Sequence, residues 1–430
     1  MPSATSQPGQ TSSPFRGFFF HLHPRKISAE TIRLTLSFGL GGMAATLFVI
    51  LAATGILQLL SYSFDTTTAY QSIIVMYAGS SLAGFIRNIH HWAGNLLVLI
   101  SFLHLLRVYL TGALREKRKL NWLIGITLFL LILFANFTGY LLPWDQLAYW
   151  AVTILTNMVG YVPLIGSRLS EILRGGSEVG PATLANFFAI HVGLIPALMV
   201  VLLIYHFWLI RKAEGLVRAS QQDQPTRMVA TVPTLISREA AVGLGLTAVL
   251  FMFAALIDAP LADIANPGES PNPAKAAWYF MGLQELLLHF HPTFAICLIP
   301  LLMIVLTALL PFIKGAPLEA GVWCGGLDGK RLAGMAFLGG IVSIFLLVII
   351  DDNLLKNGDA TQTLLPWMSR GIVPLTVLIL VYCGLYLLLK KKNYQRSACV
   401  MAVVLVNTGL VCGLTIIGIW FRGAGMALTF

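Results

Sequence analysis

The sequence predicts an all-α membrane protein: a four-helix transmembrane bundle followed by about five further transmembrane helices. Three observations predict it. The 430-residue chain is 57% hydrophobic and only 11% charged, against about 25% charged in ordinary soluble domains. Its mean hydropathy is +0.80. Its apolar residues fall into long uninterrupted runs, which only a lipid solvent accommodates. A cytosolic enzyme, a disulfide-stapled secreted domain and a disordered chain are thereby excluded.

Residues 1–20 are rich in Ser, Thr, Gln, Gly and Pro and contain no apolar signal core, so they read as a disordered tail. Nine apolar runs follow, at 34–60, 89–110, 121–141, 185–210, 240–257, 293–313, 332–350, 371–389 and 398–420. Each suffices for ~30 Å of hydrocarbon at ~1.5 Å per residue. The five cysteines form no CxxC pair and read as buried thiols.

Charge sets the orientation. With the N-terminus on the cytoplasmic side, the tail and loops there, together with Arg107 at the inner end of the second span, carry 21 of the 28 basic residues and a net +14, leaving −4 opposite. This is the positive-inside pattern, so the overall +10 reflects topology and not nucleic-acid binding. It implies a multi-pass protein of the bacterial cytoplasmic membrane with a periplasmic C-terminus.

Four histidines lie within spans. His90 and His104 are 14 residues apart on the second; His191 and His206 are 15 apart on the fourth. At ~100° per residue either step returns to within ~60° of the same face. The orientation makes these two spans parallel, so His90 is level with His191 and His104 with His206. Two levels of paired imidazoles suit two bis-histidine haems, whereas zinc would gather its ligands at one level. Gly41 and Gly55 on the first span, and Gly125 and Gly139 on the third, repeat the 14-residue step. Glycine there admits a flat macrocycle close to the backbone.

At Ile86-Arg87-Asn88-Ile89-His90-His91-Trp92, at 103–112, at TGYLLPWDQLAYWA (138–151) and at LIYHFWLIRK (203–212) the chain resembles cytochrome b of the cytochrome bc complexes. The likeness covers roughly residues 21–315. The His191–His206 spacing resembles the chloroplast and cyanobacterial type, with a subunit IV-like region fused behind it and further spans added. The resemblance implies three parts after the tail: a di-haem domain at 21–215, a subunit IV-like domain with an outer quinol-site loop at 216–320, and additional helices at 321–430. It implies two non-covalent b-type haems, ligated by His90 and His191 near the outer face and by His104 and His206 near the inner one. Arg87 and Arg107 are implied partners of haem propionates. Trp144, Tyr149 and Tyr279 would line the outer quinol pocket, and Arg211 the inner quinone site. His21, His23, Arg25 and Lys26 are further contributors there or a headgroup-facing belt. Implied partners are a Rieske-type Fe–S protein, c-type cytochrome subunits, the quinone pool and a second copy of the complex.

The chain departs from the family in two places. The outer site's Pro-Glu-Trp-Tyr motif reads Ala276-Ala277-Trp278-Tyr279, so Ala277 replaces the proton-accepting Glu. Glu285 is the first substitute, since a desolvated carboxylate acquires the raised pKa that a base needs; Glu269, Asp258, His289 and His291 are nearby. Gly39 stands where chloroplast-type relatives attach a third haem through Cys, so no covalent third haem is expected. The segment from Phe421 to Gly425 is expected to dock a periplasmic partner.

The function implied is a subunit of a quinol:cytochrome c oxidoreductase, active only in its complex. It would oxidise quinol outside, carry electrons to an inner quinone site and couple this to proton translocation. The alternative is a non-bifurcating electron conduit between quinone and a periplasmic multihaem or Fe–S partner; a proton-relaying transporter would be colourless. A periplasm-dependent phosphatase fused behind Phe430 is expected to be active and one fused at Gln221 inactive, and the reverse pattern would invert the orientation.

Overall fold

The computed structural model describes residues 25–31, 33–79, 81–213, 215, 217, 227–355 and 365–429. The N-terminal tail with His21 and His23 lies outside them. The helices are α1 (Leu40–Gln58), α2 (Ala69–Gly79), α3 (Ser81–Leu110), α4 (Lys119–Leu141), α5 (Gln146–Val159), α6 (Gly166–Arg174), α7 (Pro181–Lys212), α8 (Thr231–Leu256), α9 (Met281–His289), α10 (Thr293–Phe312), α11 (Leu327–Asn353), α12 (Met368–Lys391) and α13 (Arg396–Trp420). Nine of these are long and apolar enough to cross a membrane, as the nine runs predict. α2, α5, α6 and α9 are shorter helices in the connections, and apolar run length carries no signal for them.

The boundaries have local causes. The first run starts at 34, but the chain breaks at Phe38 and Gly39, both left-handed with φ of 49° and 65°, so α1 begins at Leu40. α4 ends before Pro143, which lacks the N–H a further turn needs. Asp145 then caps α5, its Oδ1 accepting from Ala148 N at 2.8 Å. α7 widens into a π-turn at Ile190–Leu194, around His191. Pro196 lies just beyond; it has no N–H for the carbonyl of Val192, and its ring crowds that carbonyl.

Lys26–Ser28 pairs antiparallel with Met228–Ala230 as a two-stranded ribbon. Arg25 and Lys26 are thereby tied to the entry of α8.

The main core lies among α1, α3, α4, α7 and α8 and includes Leu47, Ala93, Leu97, Ile132, Ile195 and Leu250. A second cluster, with Phe137, Leu141, Trp144, Leu184 and Phe187, sits beneath the loop after α4. A third joins the opposite end of α3 and α4 to α12 and α13 through Tyr109, Leu114, Trp122, Leu389 and Met401. Leu244, Leu380, Leu388 and many other large apolar side chains remain exposed, as lipid-facing helices require.

The end of α3 clamps the end of α8. Asn88 Nδ2 donates to Ala254 O at 3.0 Å and Asp258 Oδ1 at 2.8 Å, its Oδ1 accepts from Ala259 N at 2.8 Å, and Trp92 Nε1 donates to Ile257 O at 2.9 Å. The last helices pack through small residues: a Cβ on Gly409 of α13 would fall 2.2 Å from the carbonyl oxygen of Phe337 on α11.

Candidate haem and quinone sites

The four intramembrane histidines form two pairs between α3 and α7. The His90 and His191 rings have centroids 6.3 Å apart at an interplanar angle of 74°. A metal bridging two imidazoles needs about 2.0 Å per bond plus ~1.1 Å from nitrogen to ring centre on each side, or ~6.2 Å in all. The observed separation fits one iron between them.

Two threonines set the tautomers of this pair. Thr54 Oγ1 donates its one proton to Ile50 O at 2.7 Å and lies 2.9 Å from His90 Nδ1. Thr138 Oγ1 likewise donates to Phe134 O at 3.0 Å and lies 3.0 Å from His191 Nδ1. With its proton committed to a carbonyl, each hydroxyl can only accept from the ring. Both Nδ1 atoms are therefore protonated and both Nε2 atoms keep a lone pair for a metal. At the other level, the Nδ1 atoms of His104 and His206 are buried and have no partner among the described residues.

Each of the four glycines faces a histidine ring edge. A Cβ at Gly55 would fall 3.2 Å from His90 Cε1, at Gly41 3.2 Å from His104 Cε1 and at Gly139 2.6 Å from His191 Cε1; at Gly125 the nearest atom, His206 Cε1, is 4.0 Å away. At Gly41, Gly55 and Gly139 the missing side chain thus leaves room for the imidazole edges of His104, His90 and His191. That contact explains the shared 14-residue step.

Arg87 is buried and clamps the segment after α8: Nη1 donates to Ala259 O at 2.9 Å and to Tyr77 Oη, and Nη2 to Pro260 O at 2.9 Å. Three of its five N–H groups are thus committed to protein. Arg107, also buried, is held through Nε by Leu36 O at 2.9 Å, which leaves its Nη groups for an anion. Arg211 lies in the last turn of α7, beyond His206.

Of the predicted outer-pocket residues, Trp144 and Tyr149 share one cluster, whereas Tyr279 packs against the core around α1 and α3. Trp144, at φ 52°, is buried edge-to-face on Tyr149 at 5.9 Å. Phe280 meets Phe137 at 5.7 Å in the same cluster and Tyr279 at 5.0 Å. Burial, then the Tyr140 hydroxyl, pushes the Tyr279 phenol up, so it stays protonated. Asp145 Oδ2 accepts from Ala262 N at 2.8 Å, and Gln146 bonds both Asn266 N and Glu269 O at 2.6 Å. The Pro-Trp-Asp-Gln loop is thereby stitched to the segment before Trp278.

Glu285 departs from expectation. It is fully buried, but on the face of α9 that meets α13, where Arg422 Nε lies 3.0 Å from both carboxylate oxygens and Nη2 closes the pair. His289 Nε2 is 3.2 Å from Glu285 Oε1, and His289 Nδ1 is 2.6 Å from Asp351 Oδ2; Arg422 Nη1 reaches Asp352 Oδ2 at 2.6 Å. Burial raises the Glu285 pKa, but the hydrogen bonds from His289 and Arg422 outweigh it and hold the carboxyl below its usual range. The raised pKa expected of a base is overturned, because the charge has a partner in the same cavity. Arg422 is correspondingly buried in a clasp, so its side chain is not presented to a partner. Sequence reading missed this cluster because its members lie up to 137 residues apart.

Histidine pairs stacked along a transmembrane bundle, each ring seated on glycine, define a membrane cytochrome of the b type. A family model described as cytochrome b/b6/petB matches residues 26–214. Cytochrome b6 of Cyanidium caldarium is 42% identical over 172 residues, 40% of this chain and 80% of that protein. The chain belongs to the cytochrome b/b6 family, the haem-binding membrane subunits of bc-type electron-transport complexes. In fold it is similar to a chain of a hyperthermophilic respiratory Complex III, with a TM-score of 0.66 at 21% identity over 94% of both chains, so the C-terminal helices are included in that likeness.

Thr54→Val removes the acceptor for His90 Nδ1–H; it is expected to weaken haem retention at one level about 10–100-fold, halving the b-haem content of the purified complex, and an unchanged content counts against the tautomer argument. Arg422→Gln strands a buried carboxylate and is expected to destabilise by about 3–5 kcal/mol, read as a lower denaturation temperature that Glu285→Gln in the same chain largely restores. Stability from Glu285 is present above its unfolded-state pKa and lost as pH falls through the depressed folded value. His289 is raised by Asp351 and Glu285 against burial, so its contribution is present below the unfolded value and lost as pH rises through the folded one. Thermal stability should therefore peak between the two, and a profile that Arg422→Gln leaves unaltered would contradict the clasp.

Proposed function

We propose that this chain is the two-haem subunit of a quinol-oxidising bc-type complex, with His90 and His191 holding one haem and His104 and His206 the other. The 6.3 Å separation of His90 and His191, with each Nδ1 within 3.0 Å of a threonine hydroxyl, is the observation that carries this reading. When bound, the two haems supply one-electron redox chemistry at two depths of the bilayer. The division into a di-haem part at 21–215, a subunit IV-like part at 216–320 and additional helices beyond belongs to the same proposal.

The chain's own residues supply binding, orientation and insulation. Thr54 and Thr138 orient the outer ligands, and the free Nη groups of Arg107 suit a propionate. Trp144, Tyr149 and Tyr279 wall an outer quinol pocket, with the Tyr279 hydroxyl available to donate to a quinone oxygen. Arg211 serves an inner quinone site near His206. Quinol oxidised outside releases protons there, and quinone reduced inside takes them up, so the arrangement supports proton translocation. A Rieske-type protein and a c-type cytochrome are the proposed electron acceptors, in a dimeric complex of a bacterial cytoplasmic membrane.

A second reading, the non-bifurcating conduit, is favoured by one observation: Ala277 carries no proton-accepting group, and Glu285 is taken by Arg422. A pyridine haemochrome assay on the complex should return two b-haems per chain, falling to one in His90→Ala or His191→Ala; fewer than two in the parent protein refutes the main proposal. Oxidant-induced reduction of haem b with the inner site inhibited supports bifurcation, and its absence supports the conduit.

A further inference from the structure

The edge of the protein where α3 and α10 end and α13 begins carries a pocket unconnected with the histidine pairs. Its volume is about 350 Å³, and it is lined by Arg115 from the α3–α4 loop, Gly315 and Glu319 after α10, and Gln395, Arg396 and Ser397 at the start of α13. We propose that this pocket binds the phosphate of an anionic phospholipid headgroup.

The walls are built on a rigid floor. Leu114, Ala316 and Leu318 are buried beneath it, and Gly321 N donates to Thr111 O at 2.9 Å, tying the α10–α11 connection to the end of α3. Gly315, at φ 70°, gives the Arg396 stem a seat: its Cδ lies 3.4 Å from where a Cβ would stand. The guanidinium is thus carried over the pocket on a supported stem.

The electrostatics favour an anion. Arg115 and Arg396 are exposed and form no ion pair with a described residue. Gln395 is the N-cap of the 25-residue α13 and makes no side-chain cap bond, so the first N–H groups of that helix add positive potential at the same place. Glu319 is the one carboxylate in the lining, against two guanidiniums. In sequence the site is flanked by Lys314 and by Lys390, Lys391 and Lys392.

The level in the membrane selects the source of the phosphate. The pocket opens where three spanning helices meet the headgroup region, on the side that carries most of the basic residues, and basic pockets between helices on that side suit acidic headgroups. A volume of about 350 Å³ lies near the lower end of ordinary small-ligand pockets, roughly 300–1,000 Å³, enough for a phosphodiester and its glycerol.

The test uses the intact complex reconstituted in nanodiscs of phosphatidylcholine with a minor fraction of phosphatidylglycerol, re-extracted in mild detergent and assayed by mass spectrometry for retained lipid. The native chain is expected to retain phosphatidylglycerol selectively. Arg115→Gln with Arg396→Gln is expected to weaken retention about 25-fold, taking ~5-fold per basic residue, while Glu319→Gln retains at least as much as the parent. Helix content by circular dichroism separates lost binding from lost folding. Equal retention by the double variant and the parent overturns the proposal. So does inorganic phosphate that displaces the lipid at equal phosphorus concentration, which would mark the pocket as a free-anion site.

Discussion

The outer level of the bundle depends on burying two imidazoles without leaving their N–H groups unsatisfied. A polar group in hydrocarbon is costly unless hydrogen-bonded, and each outer histidine meets that demand on one nitrogen only. Thr54 and Thr138 take the Nδ1 protons, and the glycines beside them let the rings sit against α1 and α4. The other ring nitrogen is thereby set aside for chemistry. Helix spacing, tautomer and ligand geometry thus follow from one local motif, a threonine followed by a glycine, used once on each flanking helix.

Much of this arrangement is legible in the sequence, because both the bilayer and the α-helix impose simple periods. Nine apolar runs become nine candidate spans, and a 14-residue step in glycine on one helix answers a 14-residue step in histidine on its neighbour. The sequence does not disclose what each glycine touches. Close approach looks the same whether the visitor is a macrocycle or an imidazole edge. The two threonines were equally unmarked, since threonine is common in membrane helices and its role here depends on which carbonyl takes its proton.

The illegible part is the long-range charge pairing. Glu285 follows the Trp278-Tyr279 segment closely enough in sequence to suggest a role at the quinol pocket, yet a helix turns its side chains through all directions. Met281, Gly282 and Glu285 fall on the face that meets α13, with Gly418 against Met281 and Thr415 against Gly282. The carboxylate then meets Arg422 instead of substrate. A sequence without structure offers no way to foresee this, because Arg422 lies beyond the last span and resembles a terminal anchor. The clasp couples the late helices α11 and α13 to the helix that follows the outer pocket.

The clamp formed by Arg87, Asn88 and Trp92 on the end of α8 has a consequence for how such a protein is divided among genes. Together with the β-ribbon that pairs Lys26–Ser28 with Met228–Ala230, and with Leu250 and Ala254 buried against α1 and α3, it holds the two sides of the 212–227 junction by non-covalent contacts. A chain cut between residues 213 and 227 would therefore keep its two sides in register through contacts that the cut does not touch.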